Sequence, residues 1–162
     1  MPAESRLRDA RPDDLPGLLA LEAGFPGDRL AARQFRHHLG NPRARLRVAV
    51  AGGRVLRYHL VLLRRGSRWA RLYSIAVDPA ARGQGLGRRL LADAERQARA
   101  AGCDGLRLEV RQDNRAAAGL YEAAGYRRTA TLPDYYEDGT DGWRYEKGGQ
   151  VHLPGRRWRP GK

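Results

Sequence analysis

The stretch Leu72–Leu91 (LYSIAVDPAARGQGLGRRLL) constrains the fold of this 162-residue chain more than any other. Leu72, Tyr73, Ile75 and Val77 are apolar or β-branched residues suited to a buried strand, and Pro79 cannot continue it because proline gives no N–H to a ladder. From Leu86 the apolar positions Leu86, Leu90, Leu91, Ala94 and Ala98 recur at helical spacing. Between strand and helix, Gly83, Gly85 and Gly87 let the backbone curl tightly. A helix that opens from such a turn presents N–H groups with no partner inside the helix and a partial positive charge, and the two together attract phosphate. Arg82, Arg88 and Arg89 add full charges there. A phosphorylated ligand is therefore expected. A P-loop would place Lys-Ser or Lys-Thr after the last glycine, where this chain has Arg88-Arg89. A dinucleotide turn wants Gly-x-Gly-x-x-Gly, whereas the spacing here is Arg82-x-x-Gly85-x-Gly87. On the glycines alone, a plain strand–turn–helix connection is the remaining alternative.

The length suits one domain with a full core, and an apolar fraction of 41% is adequate for a globular fold. The formal charge of +13 comes almost entirely from arginine, since Lys147 and Lys162 are the only lysines. That balance favours polyanionic partners such as phosphates, nucleic acid or acidic proteins, with a solvated arginine surface as the plainer alternative. Cys103 is the only cysteine, so no internal disulfide can form; it reads as a small buried residue in a reducing compartment. Residues 1–20 lack a signal-like apolar run, and nothing approaches about 18 consecutive apolar residues. A soluble, cytoplasmic protein without membrane contact is expected. His37 and His38 lack cysteines or acids at ligand spacing, so they read as surface residues and no metal is expected.

In chain order, residues 6–10 suit a short edge strand. Pro12-Asp13-Asp14 opens a helix whose apolar side is Leu15, Leu18, Leu19 and Leu21. A break at residues 24–28 precedes a second helix over about Leu30–His38. Strands are expected at Leu46–Val50, Val55–Leu63 and Trp69–Val77, with a hairpin turn at residues 51–54. After the central helix, which Gly102 ends, come a strand at Gly105–Val110 and a helix from Asn114 that Gly125 stops. Tyr126–Leu132 and Trp143–Glu146 complete the strands around a polar loop at residues 133–142. The order β-α-α-β-β-β-α-β-α-β-β implies an α/β fold with a mixed sheet and helices on its faces. Residues 1–148 are expected to form one domain, and 149–162, rich in Gly, Pro and Arg, a flexible basic tail that engages acidic or nucleic-acid-bearing partners.

Together these pieces resemble the GNAT superfamily of acetyl-CoA-dependent N-acetyltransferases, and within it the ribosomal-protein-alanine and other N-terminal acetyltransferases. Arg82-Gly83-Gln84-Gly85-Leu86-Gly87 is similar to the family's Arg/Gln-x-x-Gly-x-Gly/Ala signature. Leu108-Glu109-Val110-Arg111 with Asn114, then Leu120-Tyr121-Glu122 and Gly125-Tyr126, is similar to the subgroup's second signature. Tyr135-Tyr136-Glu137-Asp138-Gly139 resembles its loop between the last two strands. The likeness is good over about residues 46–147 and loose before.

The resemblance implies a mostly antiparallel sheet with one splayed parallel pair, between which acetyl-CoA sits. The backbone of Ile75, Ala76 and Val77 would bind the pantetheine arm, and Arg82, Gly83, Gln84, Gly85, Leu86, Gly87 and Arg88 the pyrophosphate, with Asn114 as a further cofactor contact. Glu109 matches the general base and Tyr121 the general acid, 12 positions apart as in the family. The chemistry agrees: an α-amino group with a pKa near ~8 needs mild help from a carboxylate to become a neutral nucleophile, and a phenol can protonate the departing thiolate. Without the resemblance, Glu109 would read as a solvated strand charge facing away from Leu106, Leu108 and Val110, and Tyr121 as helix-to-sheet packing. Phe25, Pro26, Tyr135 and Tyr136 are the candidate acceptor groove.

Three residues depart from the family pattern. Arg57 stands where glycine is common, which questions a β-bulge there. Gly119 interrupts a helix. Gly142 replaces a commoner alanine and is expected to loosen the acceptor loop. The implied function is acetyl transfer from acetyl-CoA to a primary amine in a ternary complex, most directly a protein N-terminus. A small-molecule or lysine-side-chain acetyltransferase and, in another class, a non-catalytic nucleic-acid- or ribosome-binding module are the alternatives.

Overall fold

The structure, a computed structural model, describes residues 6–25, 29–81, 83 and 85–148. The basic segment 149–162, expected as a tail, lies outside the described residues. The element order is the one expected from the sequence: β1 (Arg8–Asp9), α1 (Leu15–Glu22), α2 (Ala32–Leu39), β2 (Ala44–Ala51), β3 (Arg54–Leu62), β4 (Trp69–Val77), α3 (Leu86–Ala100), β5 (Gly105–Arg111), α4 (Arg115–Ala123), β6 (Arg127–Leu132) and β7 (Gly142–Gly148). The strands are hydrogen-bonded in the order β1-β2-β3-β4-β5-β7-β6, a seven-stranded mixed sheet in which β4 and β5 pair in parallel. Among the described residues, no helix is long and apolar enough to cross a membrane.

The chain gathers into two compact units, one of residues up to Leu62 with Ser74–Ala94, the other of Leu63–Tyr73 with Glu95 onward. In the first, β1, β2 and β3 pair antiparallel, and the β2–β3 turn has Gly52 and Gly53 at φ 57° and 76°. Two successive left-handed residues make the tight hairpin turn that glycine favours. Leu18, Leu21, Leu30, Phe35, Leu46, Val48, Val55, Tyr58, Leu60 and Ala76 form its core. Asp14 fastens the start of α1, accepting from the Arg11 amide at 2.7 Å and from both arms of the Arg8 guanidinium at 2.8 and 2.9 Å. A β-bulge is present despite Arg57: Ala49 pairs with Arg57 and Val50 with Val55, so Leu56 is the extra residue. The Leu56 carbonyl accepts from the Asp78 amide at 2.8 Å, which holds the point where the chain leaves β4.

A polar chain also runs from the core of the first unit out to its surface. Asp93 of α3 accepts from His59 Nε2 at 2.7 Å and from Arg47 Nε at 3.1 Å, and Arg47 reaches on to Asp9 at 2.9 Å. Burial alone would raise the Asp93 carboxyl, but these two donors hold it well below the usual carboxylate range.

In the second unit, β4 pairs with β5 from Trp69↔Gly105 to Leu72↔Leu108, while β5 pairs with β7 along its whole length to Arg111↔Gly142. Leu106, Leu108, Val110, Tyr121, Ala124, Tyr126 and Tyr145 are buried. Lys147 is buried too: its Nζ donates to the Ala124 carbonyl at 2.8 Å and to Glu95 at 3.3 Å. Tyr126 donates its hydroxyl to the same carboxylate at 2.7 Å. Such a pair is tolerable in a core because each charge has several partners.

Candidate active site

The sequence forces the chain out of β4 at Asp78-Pro79. Asp78 stabilises the exit with its own side chain, accepting from the Ala80 amide at 2.9 Å and from Arg54 at 2.5 Å. After the short turn Pro79–Ala81, Gly83 and Gly85 take φ of 87° and 71°. Nothing lies within 4 Å of a Cβ built on either glycine, so backbone strain rather than crowding reserves these places. Leu86 is buried at the start of α3, Arg88 and Arg89 are exposed, and the first turn carries no acid. A helix N-terminus that carries cations and no acid attracts anions. Ala76 is buried, with Ile75 and Val77 half-buried beside it. Arg82 and Gln84 of the expected pyrophosphate set, and Pro26 of the expected acceptor set, lie outside the described residues. Phe25 packs against the core of the first unit.

The second unit holds the remaining candidates. Glu109 is not a solvated strand charge, as its position alone suggested: its side chain is 6% exposed and both carboxylate oxygens are engaged. Arg71 of β4 donates to Oε1 from Nε at 2.8 Å and from Nη2 at 2.7 Å, and Arg144 of β7 donates to Oε2 at 3.3 Å. Arg71 also reaches the Tyr135 hydroxyl at 3.3 Å and lies 5.3 Å over the Tyr73 ring. One guanidinium thus joins the candidate base to the candidate acceptor loop. Tyr73 and Tyr135, at 41% and 43% exposed, are the large hydrophobic residues left open to solvent among the described residues.

Tyr121 is 5% exposed, its ring 6.0 Å from Tyr126 and 6.1 Å from Tyr145. Burial, and the nearby Tyr136 phenol, push its pKa upward, so it keeps its proton through the neutral range. Asn114 is the N-cap of α4, its side-chain oxygen accepting from the Ala117 amide at 3.1 Å. Tyr135 and Tyr136 meet edge to face at 5.0 Å, and Arg111 stacks on Tyr136 at 5.0 Å while its guanidinium grips Asp138 at 2.6 Å and Thr140 at 2.8 Å. Gly142 tightens this loop instead of loosening it. A Cβ there would come within 3.2 Å of Tyr136 and 3.3 Å of Tyr135, so both rings pack on bare backbone.

The model of the acetyltransferase (GNAT) family matches residues 8–126. The chain belongs to that family. It is 44% identical over 73 residues to the ribosomal protein bS18-alanine N-acetyltransferase of Escherichia coli K12, covering 45% of this chain and 49% of the relative. It is also 44% identical over 69 residues to blasticidin-S acetyltransferase of Streptomyces morookaense, covering 42% of this chain and 49% of the relative. The chain thus spans about half the length of these curated relatives. Among solved structures, the Escherichia coli ribosomal-protein-S18-alanine N-acetyltransferase superposes with a TM-score of 0.80 at 25% identity, over 95% of this chain and 99% of that one.

Two residues of this GNAT chain that surround Glu109 escaped the sequence reading, Arg71 and Arg144. Arg144 stands directly opposite Glu109 in the β5–β7 register, and opposite charges at facing positions attract. That signal exists in the sequence only once the register is known, because the two residues are 35 positions apart.

Proposed function

We propose that the chain transfers acetyl from acetyl-CoA to a primary amine within a ternary complex, and that the amine is the α-amino group of a protein N-terminus. Family membership supports the transfer, and the acceptor rests on the likeness to the alanine N-acetyltransferases. The observation that carries the cofactor assignment is the left-handed Gly83 and Gly85 turn opening an acid-free, arginine-bearing helix. Acetyl-CoA supplies the acetyl group as a thioester. In this proposal residues 1–148 work as one domain, since the family match runs through both units.

The roles follow from the residues. Backbone groups of Ile75, Ala76 and Val77 bind the pantetheine arm; amides from Gly83 to Arg88, with Arg82, Gln84 and the Arg88 side chain, bind the pyrophosphate; Asn114 adds a contact from the next helix. Glu109, fixed by two guanidiniums, takes the proton from the acceptor amine, directly or through a water. As the N–C bond forms and the C–S bond breaks, the Tyr121 hydroxyl gives its proton to the departing sulfur. Phe25, Pro26, Tyr135 and Tyr136 receive the acceptor, and the basic surface favours an acidic or ribosome-associated partner.

The likeness to a blasticidin-S acetyltransferase supports a second reading, a small-molecule amine as acceptor. Thiol release from acetyl-CoA separates the two, using a peptide with free N-terminal alanine, the same peptide blocked at its N-terminus but carrying a lysine, and blasticidin S. Turnover with the free α-amine alone is expected. Turnover with blasticidin S alone, or with the lysine peptide alone, overturns the acceptor assignment. No turnover with any amine, CoA binding being intact, makes the binding-module reading the better one.

A further inference from the structure

Alternation along the strands puts Arg71, Tyr73, Glu109 and Arg144 on one face of the second unit, opposite the buried Leu72, Leu108 and Tyr145. A guanidinium carries five N–H donors in a rigid fork. Arg71 commits Nε and Nη2 to Glu109 Oε1 at 2.8 and 2.7 Å, and Nη2 also reaches the Tyr135 hydroxyl at 3.3 Å. The two N–H groups on Nη1 have no partner among the described residues. The Arg71 side chain is 44% exposed, whereas that of Glu109 is 6% exposed, so the guanidinium is the half of the pair that faces solvent. It lies over the Tyr73 ring, between the two exposed tyrosines, Tyr73 and Tyr135.

This pair therefore offers an acceptor, the Glu109 carboxylate, with free donors beside it on Arg71. An α-amino group and the first carbonyl of a chain present the reverse, a donor and an acceptor held about 3 Å apart by their shared Cα. An amine engaged by Glu109 thus brings its own carbonyl within reach of Nη1. The amine of a lysine side chain does not, because a four-carbon stem separates it from its Cα. A carboxylate on the acceptor is a poorer match. The loop that carries Tyr135, residues 133–142, holds four acids and no basic residue, and like charges repel.

We propose that Arg71 is a specificity-determining residue: its Nη1 donates to the first carbonyl of the acceptor, so that Arg71 and Glu109 together prefer an amine whose neighbouring carbon bears a carbonyl. The Tyr73 ring supports the guanidinium from one face, and the Tyr135 hydroxyl holds the arm that is not offered to the acceptor. This rests on the reading of the acceptor as a protein N-terminus, and it names the feature by which an N-terminus is told from a lysine side chain.

The test uses the peptide with free N-terminal alanine and an analogue whose first peptide bond is replaced by a trans alkene, which keeps the shape and removes the carbonyl. Thiol release gives kcat/KM for each; where the analogue is not turned over, its inhibition of the alanine peptide gives its affinity. The wild type is expected to favour the alanine peptide about tenfold or more, the scale of one charge-assisted bond. Arg71→Met should lower kcat/KM for the alanine peptide and shrink that preference to within about twofold, with CoA affinity by calorimetry unchanged. Equal use of the two peptides by the wild type overturns the proposal, whether or not any variant folds. Equal losses on both peptides in Arg71→Met, leaving the preference intact, overturn it too and make Arg71 a support for Glu109 alone. If Arg71→Met does not fold, Arg71→Gln, whose shorter amide cannot serve Glu109 and the carbonyl together, decides by the same ratio. The acceptor reading fails separately: turnover with the lysine peptide alone or blasticidin S alone removes the N-terminus as substrate, whereas alanine-peptide turnover that ignores the carbonyl removes only the role of Arg71.

Discussion

Arg71 of β4 reaches along the parallel pair to Glu109 of β5, two positions beyond its register partner Arg107, with Nη2 2.7 Å from Oε1. Together with Arg144 at Oε2, this fixes the carboxylate in one orientation on a strand that alternates apolar and charged residues. Preorganisation of this kind lets a base act without first giving up a water shell.

Glu109→Gln keeps the shape and removes the proton affinity. Its kcat should fall roughly 10²–10⁴-fold, the usual range for acid–base assistance, with CoA affinity unchanged. The deficit should shrink as pH rises and the acceptor amine becomes neutral on its own. Single-turnover kinetics with the alanine peptide measure both effects, and wild-type turnover at neutral pH removes Glu109 from the mechanism.

Tyr121→Phe deletes only a hydroxyl. Since burial raises the pKa of this phenol above that of free tyrosine, the loss in kcat should stay constant from about pH 6 to 9. A deficit that varies across this range as that of Glu109→Gln does would place Tyr121 on the same proton as Glu109.

Alkaline stability reports on the same region. Tyr126 is buried against Glu95, and burial together with that carboxylate raises its phenol pKa. A phenol raised in the folded state stabilises the protein fully below its unfolded pKa near ~10, and that stabilisation is lost as pH climbs above it. Thermal melts should therefore fall steeply above about pH 10, and Tyr126→Phe should flatten that limb while lowering the melting point at neutral pH. An unchanged limb would show that other groups govern it.

Gly142→Ala inserts a methyl group 3.2 Å from Tyr136 and 3.3 Å from Tyr135. The rings must give way by a few tenths of an ångström, at a cost of about 1 kcal/mol. Acceptor KM should rise severalfold while CoA affinity holds. An unchanged KM would detach the tyrosine pair from acceptor binding.

The element order was readable because its signals are local. Alternation marks β5, Asn114 caps α4, and the glycines after Pro79 mark the exit from β4 toward α3. Glu109 and Tyr121 were reached through the spacing of a resembled motif, not through their surroundings. What stayed hidden depends on register and on distant packing. The partners of Glu109 come from strands on either side of it, the bulge falls on Leu56 although Arg57 replaces the usual glycine, and Gly142 matters because two rings fold back onto it. None of these leaves a periodic trace along the chain.

Lys147 carries a consequence for how the molecule withstands its own donor. It is the only lysine among the described residues, and its amine is sealed between Glu95 and the Ala124 carbonyl. Thioesters acylate exposed amines slowly without any catalyst, and guanidiniums are far poorer targets. The described surface, whose cations are arginines, would keep its positive charge in the presence of acetyl-CoA, where a lysine-coated one would gradually neutralise itself.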